Sequence, residues 1–405
     1  RLQACTEAAA LHPEGDFRIP LRYGVAEAPK GFGFPGAGTN AAHNLPLSGN
    51  PHRDAAAREQ FNAGCAPLYV PPADLQAAIA ALNTHATQGR PRERDHALAT
   101  RQVALPTVPE PAWAEPGTIG SPMAALDGQF VRLVQANPQL RPRVGNPDEL
   151  RSNKLDATLD LLKHRVQEPE AGVAESRTGA VITALNEEAV VCAALANKGG
   201  LNLVVTYEAF APKMLGALRQ ELIFSRHLRE AGRPPGWLGV PVVLTSHTWE
   251  NAKNEQSHQD PTLAEALLGE MADGARVCFP PDANSAMVAL TRSLQAQGTI
   301  TALVVPKREV PNRLTPAQAR LLAEEGLLLL HGDPDTAAVL LAATGSYQLG
   351  EVLRAHQRLR ASGITTAVVY IGEPGRLRAG RDARETAYVL SDALVLRHFP
   401  AGTPR

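Results

Sequence analysis

The chain has 405 residues, 44% apolar, 4% aromatic and 20% charged, with a formal net charge of −1. That length allows two or three domains with sizeable cores, and the composition argues against wholesale disorder. A near-neutral balance without a basic block argues against nucleic acid as a partner. The longest apolar runs, such as "AVVCAALA" at 189–196, fall short of the ~18 residues that point to a membrane span. Cys5, Cys65, Cys192 and Cys278 are scattered and form no CxxC. They read as reduced thiols of a cytoplasmic protein rather than as a disulfide frame or a zinc site. Nothing after Arg1 resembles a signal peptide, and both ends are expected to be cut.

In chain order, "RYGVAEA" at 22–28 reads as a short strand, followed by the Gly-, Asn- and Pro-rich "PKGFGFPGAGTNAAHNLPLSGNP". Helical periodicity marks 54–63 and 73–84. Residues 101–122 hold five prolines and read as a stiff linker. From 123 onward, apolar β-branched runs ("AVITAL", "LNLVVTY", "VPVVLT", "ARVCFP", "ITALVVP") alternate with helical stretches. Continuous apolar strands separated by helices predict a parallel α/β sheet covered on both faces. A second α/β unit begins near 311, with helices in "TPAQARLLAEEG" and "GEVLRAHQRLRASG" and strands in "AAVLLAATG" and "TTAVVYI".

"GFGFPG" at 31–36 matches GxGxxG. It carries a proline and opens no helix, whereas a dinucleotide fingerprint needs a helix N-terminus for the pyrophosphate. In "LNEEAVVCAALANKGG", Asn186 caps a helix whose first turn carries Glu187 and Glu188, an arrangement that either complements the helix dipole or offers a carboxylate to a heterocycle. Ser152 and Lys154, in a turn after a strand, either start a capped helix or grip a phosphate. Lys307 sits at a strand end, where α/β sheets bind ligands. The loop 244–262, "LTSHTWENAKNEQSHQDPT", is far longer than the ~4–6 residues of most connections. Its Asn251, Lys253, Asn254, His258 and Gln259 lie within nine residues and read as a polar ligand site. The spacing of His247 and His258 does not match a zinc helix such as HExxH.

These segments together resemble the thiamine-diphosphate-dependent phosphoketolases. "NEQSHQDP" resembles their HNGxxHQDP, "VCFPPDANSAMVAL" their PPDAN turn, and "ITALVVPKREVP" their strand ending in Lys. "GNPDELRSNKL" resembles GPDExxSNRL, "VVTYEAFAPKML" the xxYEAF segment, and "EAPKGFG…HNLPL" the PKGxxG…HQVPL segment. The resemblance implies a transketolase-like α/β fold with parallel sheets flanked by helices and with its first and last domains incomplete. Residues 1–85 would be the C-terminal part of a diphosphate-binding domain and 86–120 a Pro-rich linker. Residues 121–310 would be a pyrimidine-binding domain and 311–405 a partial C-terminal domain.

By the same resemblance, Glu187 matches the carboxylate that contacts the cofactor's aminopyrimidine ring, with Glu188 as the alternative. Such a group protonates the ring, so that its imino tautomer can deprotonate the thiazolium carbon. Tyr207 and Asn254 match cofactor or substrate contacts, and Ser152, Lys154 and Lys307 match a phosphate grip. Asn251 belongs to the same substrate wall, while Lys253 and His258 are candidates for proton transfer. Lys30, His43 and Asn44 match the Lys, His and Gln that approach the substrate from the first domain. The family's Arg in SNR is Lys154 here, which loses a bidentate fork but keeps the charge, and its His before Asn is Lys253. The implied reaction is cleavage of a ketose phosphate (xylulose 5-phosphate or fructose 6-phosphate) with inorganic phosphate, giving acetyl phosphate and an aldose phosphate. Ketol transfer, epimerisation of a ketose phosphate and a non-catalytic subunit are the alternatives. Thiamine diphosphate and Mg2+ are the implied cofactors. The family's GDG-type magnesium motif is not found here, so the magnesium ligands are expected outside this chain. They would lie in a homodimer, a larger oligomer or a companion chain.

Overall fold

A computed structural model describes residues 25–43, 46–89, 101–245 and 260–404. The chain divides into two compact units, Arg1–Ala99 and Thr100–Arg405.

The first unit carries two helices, α1 (Ala55–Cys65) and α2 (Pro72–Thr87), close to the bounds the periodicity predicts. Asp54 caps α1 by accepting the Ala57 N–H at 3.1 Å, and Pro72 opens α2, where the missing N–H costs nothing. The Gly-rich segment before them is a string of turns, with Gly31, Gly33, Gly36 and Gly38 at positive φ. It ends in a single 3-10 turn at Asn40–His43 rather than in a phosphate-binding helix. Of the strand expected at 22–28, residues 25–28 are described, and they form no strand.

The second unit is built on an eight-stranded sheet. Strand β1 (Ile119–Gly120) forms a separate two-residue ribbon with β10 (Val310–Pro311). The large sheet contains β2 (Arg141–Gly145), β3 (His164–Arg165), β4 (Glu175–Ser176), β5 (Val181–Ile182), β6 (Gly200–Tyr207), β7 (Val240–Thr245), β8 (Ala275–Cys278) and β9 (Ile300–Val304). Its order is β4-β3-β5-β2-β6-β7-β9-β8, and every pairing is parallel. Every residue of β6 and β7 is buried, as expected of central strands covered on both faces. Alternation along β6 sends Leu201, Leu203 and Val205 into one core and Val204 into the other. Helices α3 (Pro122–Ala136), α4 (Asp156–Leu162) and α8 (Ala283–Gln295) contribute to the first core or lie beside it. Helices α5 (Glu187–Leu195), α6 (Leu215–Glu230) and α7 (Thr262–Leu268) contribute to the second. Fully burying one Leu or Val is worth roughly 1.5–3 kcal/mol, so these two cores dominate the stability of the unit.

Beyond β10 lie α9 (Pro316–Glu325), β11 (Leu327–His331), β12 (Val339–Ala343), α10 (Ser346–Ala361) and β13 (Thr366–Ile371). Two short helices follow, α11 (Ala383–Tyr388) and α12 (Asp392–His398). The sheet order is β11-β13-β12, with β12 parallel and β11 antiparallel to β13. This sheet is therefore mixed. The sequence reading missed β11, because "LLLLH" directly continues the helical run of α9, with only Gly326 between them. Gly326, at φ 75°, is the left-handed cap that ends the helix and lets the strand begin.

The Pro-rich stretch packs on the second unit from residue 101 on. The Val103 N–H donates to Gly236 O at 2.7 Å and the Thr107 N–H to Asn137 Oδ1 at 2.8 Å. Asn284 bonds both the N–H and the C=O of Ala114 at 2.9 Å. The "PPDAN" turn has a structural task here. Asp282 caps α8 through the Ser285 N–H at 3.0 Å and also accepts the N–H groups of Arg313 and Leu314 at 2.9 and 2.7 Å. It thereby fixes the path into the C-terminal domain.

Candidate functional site

Strands β2, β6, β7 and β9 are parallel neighbours, so their C-terminal ends lie side by side. Ligands of open α/β sheets bind at such an edge. The Tyr207 hydroxyl, at the end of β6, is 2.8 Å from Ser152 Oγ, and either oxygen can donate. Lys307, after β9, reaches over the end of β7 and donates from Nζ to the same hydroxyl at 3.3 Å, with its ammonium 4.9 Å from the ring centroid. Three residues far apart in the chain thus meet at one oxygen. Ser152 is held in turn by donating to Glu149 O at 2.8 Å.

The turn that carries Ser152 is built from both sides. Asp127 on α3 accepts the Ala157 and Thr158 N–H groups at 2.8 and 2.9 Å, capping α4. Burial pushes the Asp127 carboxyl up, against the hydrogen bonds that pull it down. Asn153, fully buried, accepts the hydroxyl of Thr245 at 2.6 Å and so ties this turn to the end of β7. Lys154 follows with a left-handed backbone, φ 62°. It is one of two non-glycine residues at positive φ among those described, a conformation that costs a side-chain-bearing residue roughly 1–2 kcal/mol. Strain of this kind clusters at functional sites. Lys154 is exposed and makes no direct bond to Ser152, Tyr207 or Lys307 among the described contacts.

Glu187 opens α5, capped by Asn186 through the Ala189 N–H at 2.8 Å. Its side chain is buried and accepts a charge-assisted bond from Lys213 Nζ at 3.2 Å, while Glu188 points to solvent. Gly145 makes this placement possible. A Cβ there would stand 2.7 Å from Val190 O, so only glycine lets α5 lie this close to the end of β2. The Lys213 ammonium lies 5.4 Å from the Phe210 ring, and Phe210 meets Tyr207 edge-on at 6.0 Å. A continuous line of contacts therefore runs from Glu187 through Lys213, Phe210 and Tyr207 to Ser152 and Lys307. Sequence reasoning passed over Lys213, Asn153, Thr245 and the buried Glu208. Glu208 was legible as the acid within "YEAF" and Lys213 as a cation just after it, but their partners were not.

Within the first unit, Lys30 Nζ and His43 Nδ1 are 2.8 Å apart, so two of its three expected residues meet. Asn44 lies outside the described residues, as do Asn251, Lys253, Asn254 and His258 in the long polar loop. Cys65, Cys192 and Cys278 are free thiols. Among the described residues no cluster of His, Cys, Asp or Glu has the makings of a metal site. No helix among them is long and apolar enough to cross a membrane.

The fold is that of the transketolases. The transketolase of Leishmania mexicana superposes with a TM-score of 0.60 over 92% of this chain and 52% of its own, at 19% identity. A transketolase mutant from Pichia stipitis gives 0.58 over 92% and 53%, at 18% identity. Residues 124–296 match the model of the D-xylulose 5-phosphate/D-fructose 6-phosphate phosphoketolase family. The probable phosphoketolase of Brucella abortus is 29% identical over 296 residues, covering 69% of this chain and 36% of that protein. Its counterpart in Streptomyces avermitilis is 28% identical over 375 residues, covering 83% and 46%. Residues 124–296 are thus similar to the phosphoketolases, and the chain spans less than half the length of these two relatives.

Proposed function

We propose that this chain supplies the pyrimidine-binding and sugar-phosphate-binding side of a thiamine-diphosphate enzyme that acts on ketose phosphates. Within that class, the reading is a phosphoketolase-type lyase that forms acetyl phosphate and an aldose phosphate from xylulose 5-phosphate or fructose 6-phosphate. The observation that carries it is the meeting of Ser152, Tyr207 and Lys307 at the strand ends, joined side chain by side chain to a buried carboxylate, Glu187.

The donor set suits the cofactor. A buried carboxylate in a first helical turn can hold a proton against a ring nitrogen, and Lys213 orients it. Thiamine diphosphate, when bound, supplies the carbon nucleophile that attacks the ketose carbonyl. Lys307 and Ser152 hold the substrate's phosphate by charge-assisted bonds, and the Tyr207 hydroxyl sets their spacing. Lys154 adds a second cation to the rim. The diphosphate and its magnesium are held by a second subunit or a companion segment. A second reading, ketol transfer, is favoured by Lys253 at the position of the family's His.

Calorimetric titration of fructose 6-phosphate and of fructose into the full chain tests the phosphate grip. Lys307→Ala is expected to weaken the phosphorylated sugar about tenfold or more, through a charge-assisted contact worth ~1.5–3 kcal/mol. Fructose should be unaffected. Equal losses for both sugars refute the phosphate role.

A further inference from the structure

The central and C-terminal domains of the second unit line a cavity of about 260 Å3. It shares no lining residue with the strand-end cluster. Arg276 on β8, Arg292 on α8 and Thr301 on β9 face Glu373, Arg376 and Tyr388 of the C-terminal domain across it. Arg376 has its own partners, since Nε donates to Tyr388 O at 3.1 Å and another guanidinium nitrogen to Glu324 O at 2.6 Å. Arg276 and Arg292 make no hydrogen bond or ion pair among the described residues. Arg276 stacks 4.5 Å from the Tyr388 ring centroid, but its buried Nε is unpartnered. The Thr301 hydroxyl, on a residue 2% exposed, is likewise unpartnered. Leaving the buried Arg276 Nε and Thr301 hydroxyl without a partner costs ~1–3 kcal/mol each.

The charge count leaves room for an anion. Three guanidinium groups line the cavity against two carboxylates, Glu324 and Glu373. Glu373 is buried and already accepts the Tyr388 hydroxyl, and burial pushes its carboxyl up despite the neighbouring guanidiniums. Guanidinium forks match the planar or tetrahedral oxygens of carboxylate and phosphate. The volume lies below the ~300–1,000 Å3 of drug-sized ligand sites, which suits a small occupant. We propose that this cavity binds a small organic oxyanion, a dicarboxylate or phosphate monoester of a few carbons. Arg276, Arg292 and Thr301 hold it. Because the walls belong to two domains, an occupant cross-links them and stiffens their docking.

Malonate and glycerol 3-phosphate, titrated into the full chain and its Lys307→Ala variant, test the site and separate the two anion sources. One saturable site for at least one probe is expected in both proteins, with a rise in melting temperature. Arg292→Gln, exposed on its helix and so without consequence for folding, should weaken that site about tenfold or more, the scale of one lost charge-assisted contact. Arg276→Gln should do the same. The proposal is overturned if neither probe saturates, or if both arginine variants bind as the parent does. Binding that vanishes in Lys307→Ala also overturns it, because the strand-end cluster would then be the anion site.

Discussion

Lys307 and Ser152 are 155 positions apart in the sequence, yet both bond the hydroxyl of Tyr207, at 3.3 and 2.8 Å. The parallel order β2-β6-β7-β9 produces the meeting, because it brings the C-terminal ends of these strands to one edge.

Tyr207→Phe removes the shared oxygen but keeps the ring that meets Phe210 edge-on and faces the Lys307 ammonium. Fructose 6-phosphate binding should weaken about 5- to 10-fold, the scale of one neutral hydrogen bond, with little change in melting temperature. Unchanged affinity would remove Tyr207 from the site.

Glu187 and Glu188 can be separated by exchange of the cofactor's C2 proton, in an assembly that includes the diphosphate-binding partner. Glu187→Gln should abolish exchange, and Glu188→Gln, altering an exposed group, should leave it near the parent rate. Loss confined to Glu188→Gln would move the assignment by one residue.

Gly145→Ala should cost about 1–3 kcal/mol by overpacking β2 against α5. The new Cβ meets Val190 O at 2.7 Å, and backbone gives way less than a side-chain tip. A melting temperature equal to the parent's would show that α5 can retreat.

Glu385 has no solvent exposure. It is bound by Arg381 Nε at 2.9 Å and by the N–H groups of Ala272 and Arg381 at 2.9 and 2.8 Å, with Arg378 Nε at 3.7 Å. These partners, the Arg381 side chain first, lower its carboxyl from the ordinary 4.5 to about 2. A depressed acid contributes stability that is fully present above its unfolded pKa and lost as pH falls through the folded one. The docking of α11 on the loop after α7 should therefore weaken between about pH 4.5 and pH 2. Glu385→Gln should lower stability at neutral pH and flatten that part of the pH–melting curve. A parallel curve would refute the latch.

The described part of the first unit consists of two α-helices and a turn-rich segment, and magnesium needs carboxylates together with phosphate oxygens. Acetyl phosphate formation by the 405-residue chain, with added cofactor and magnesium, should stay at background. It should appear when a segment carrying a GDG-type magnesium motif is supplied. Robust turnover by the isolated chain would show that the diphosphate wall lies elsewhere.

Apolar β-branched runs between amphipathic stretches were enough to expect the parallel central sheet, since a strand buried on both faces must be apolar along its whole length. The strand-end positions of Ser152, Tyr207 and Lys307 were legible for the same reason. Which groups touch was not legible, because strand order, and not sequence distance, decides which loops share an edge. The two adjacent acids of "NEE" look equivalent in sequence. In the helix, successive residues point about 100° apart, and the packing of α5 against β2 across Gly145 turns Glu187 inward and leaves Glu188 in water. The arginine-lined cavity could not be read from sequence at all. Its walls come from β8, α8, β9 and the C-terminal domain, and only the docking of those pieces leaves two guanidinium groups facing one space with no hydrogen-bond acceptor among the described residues.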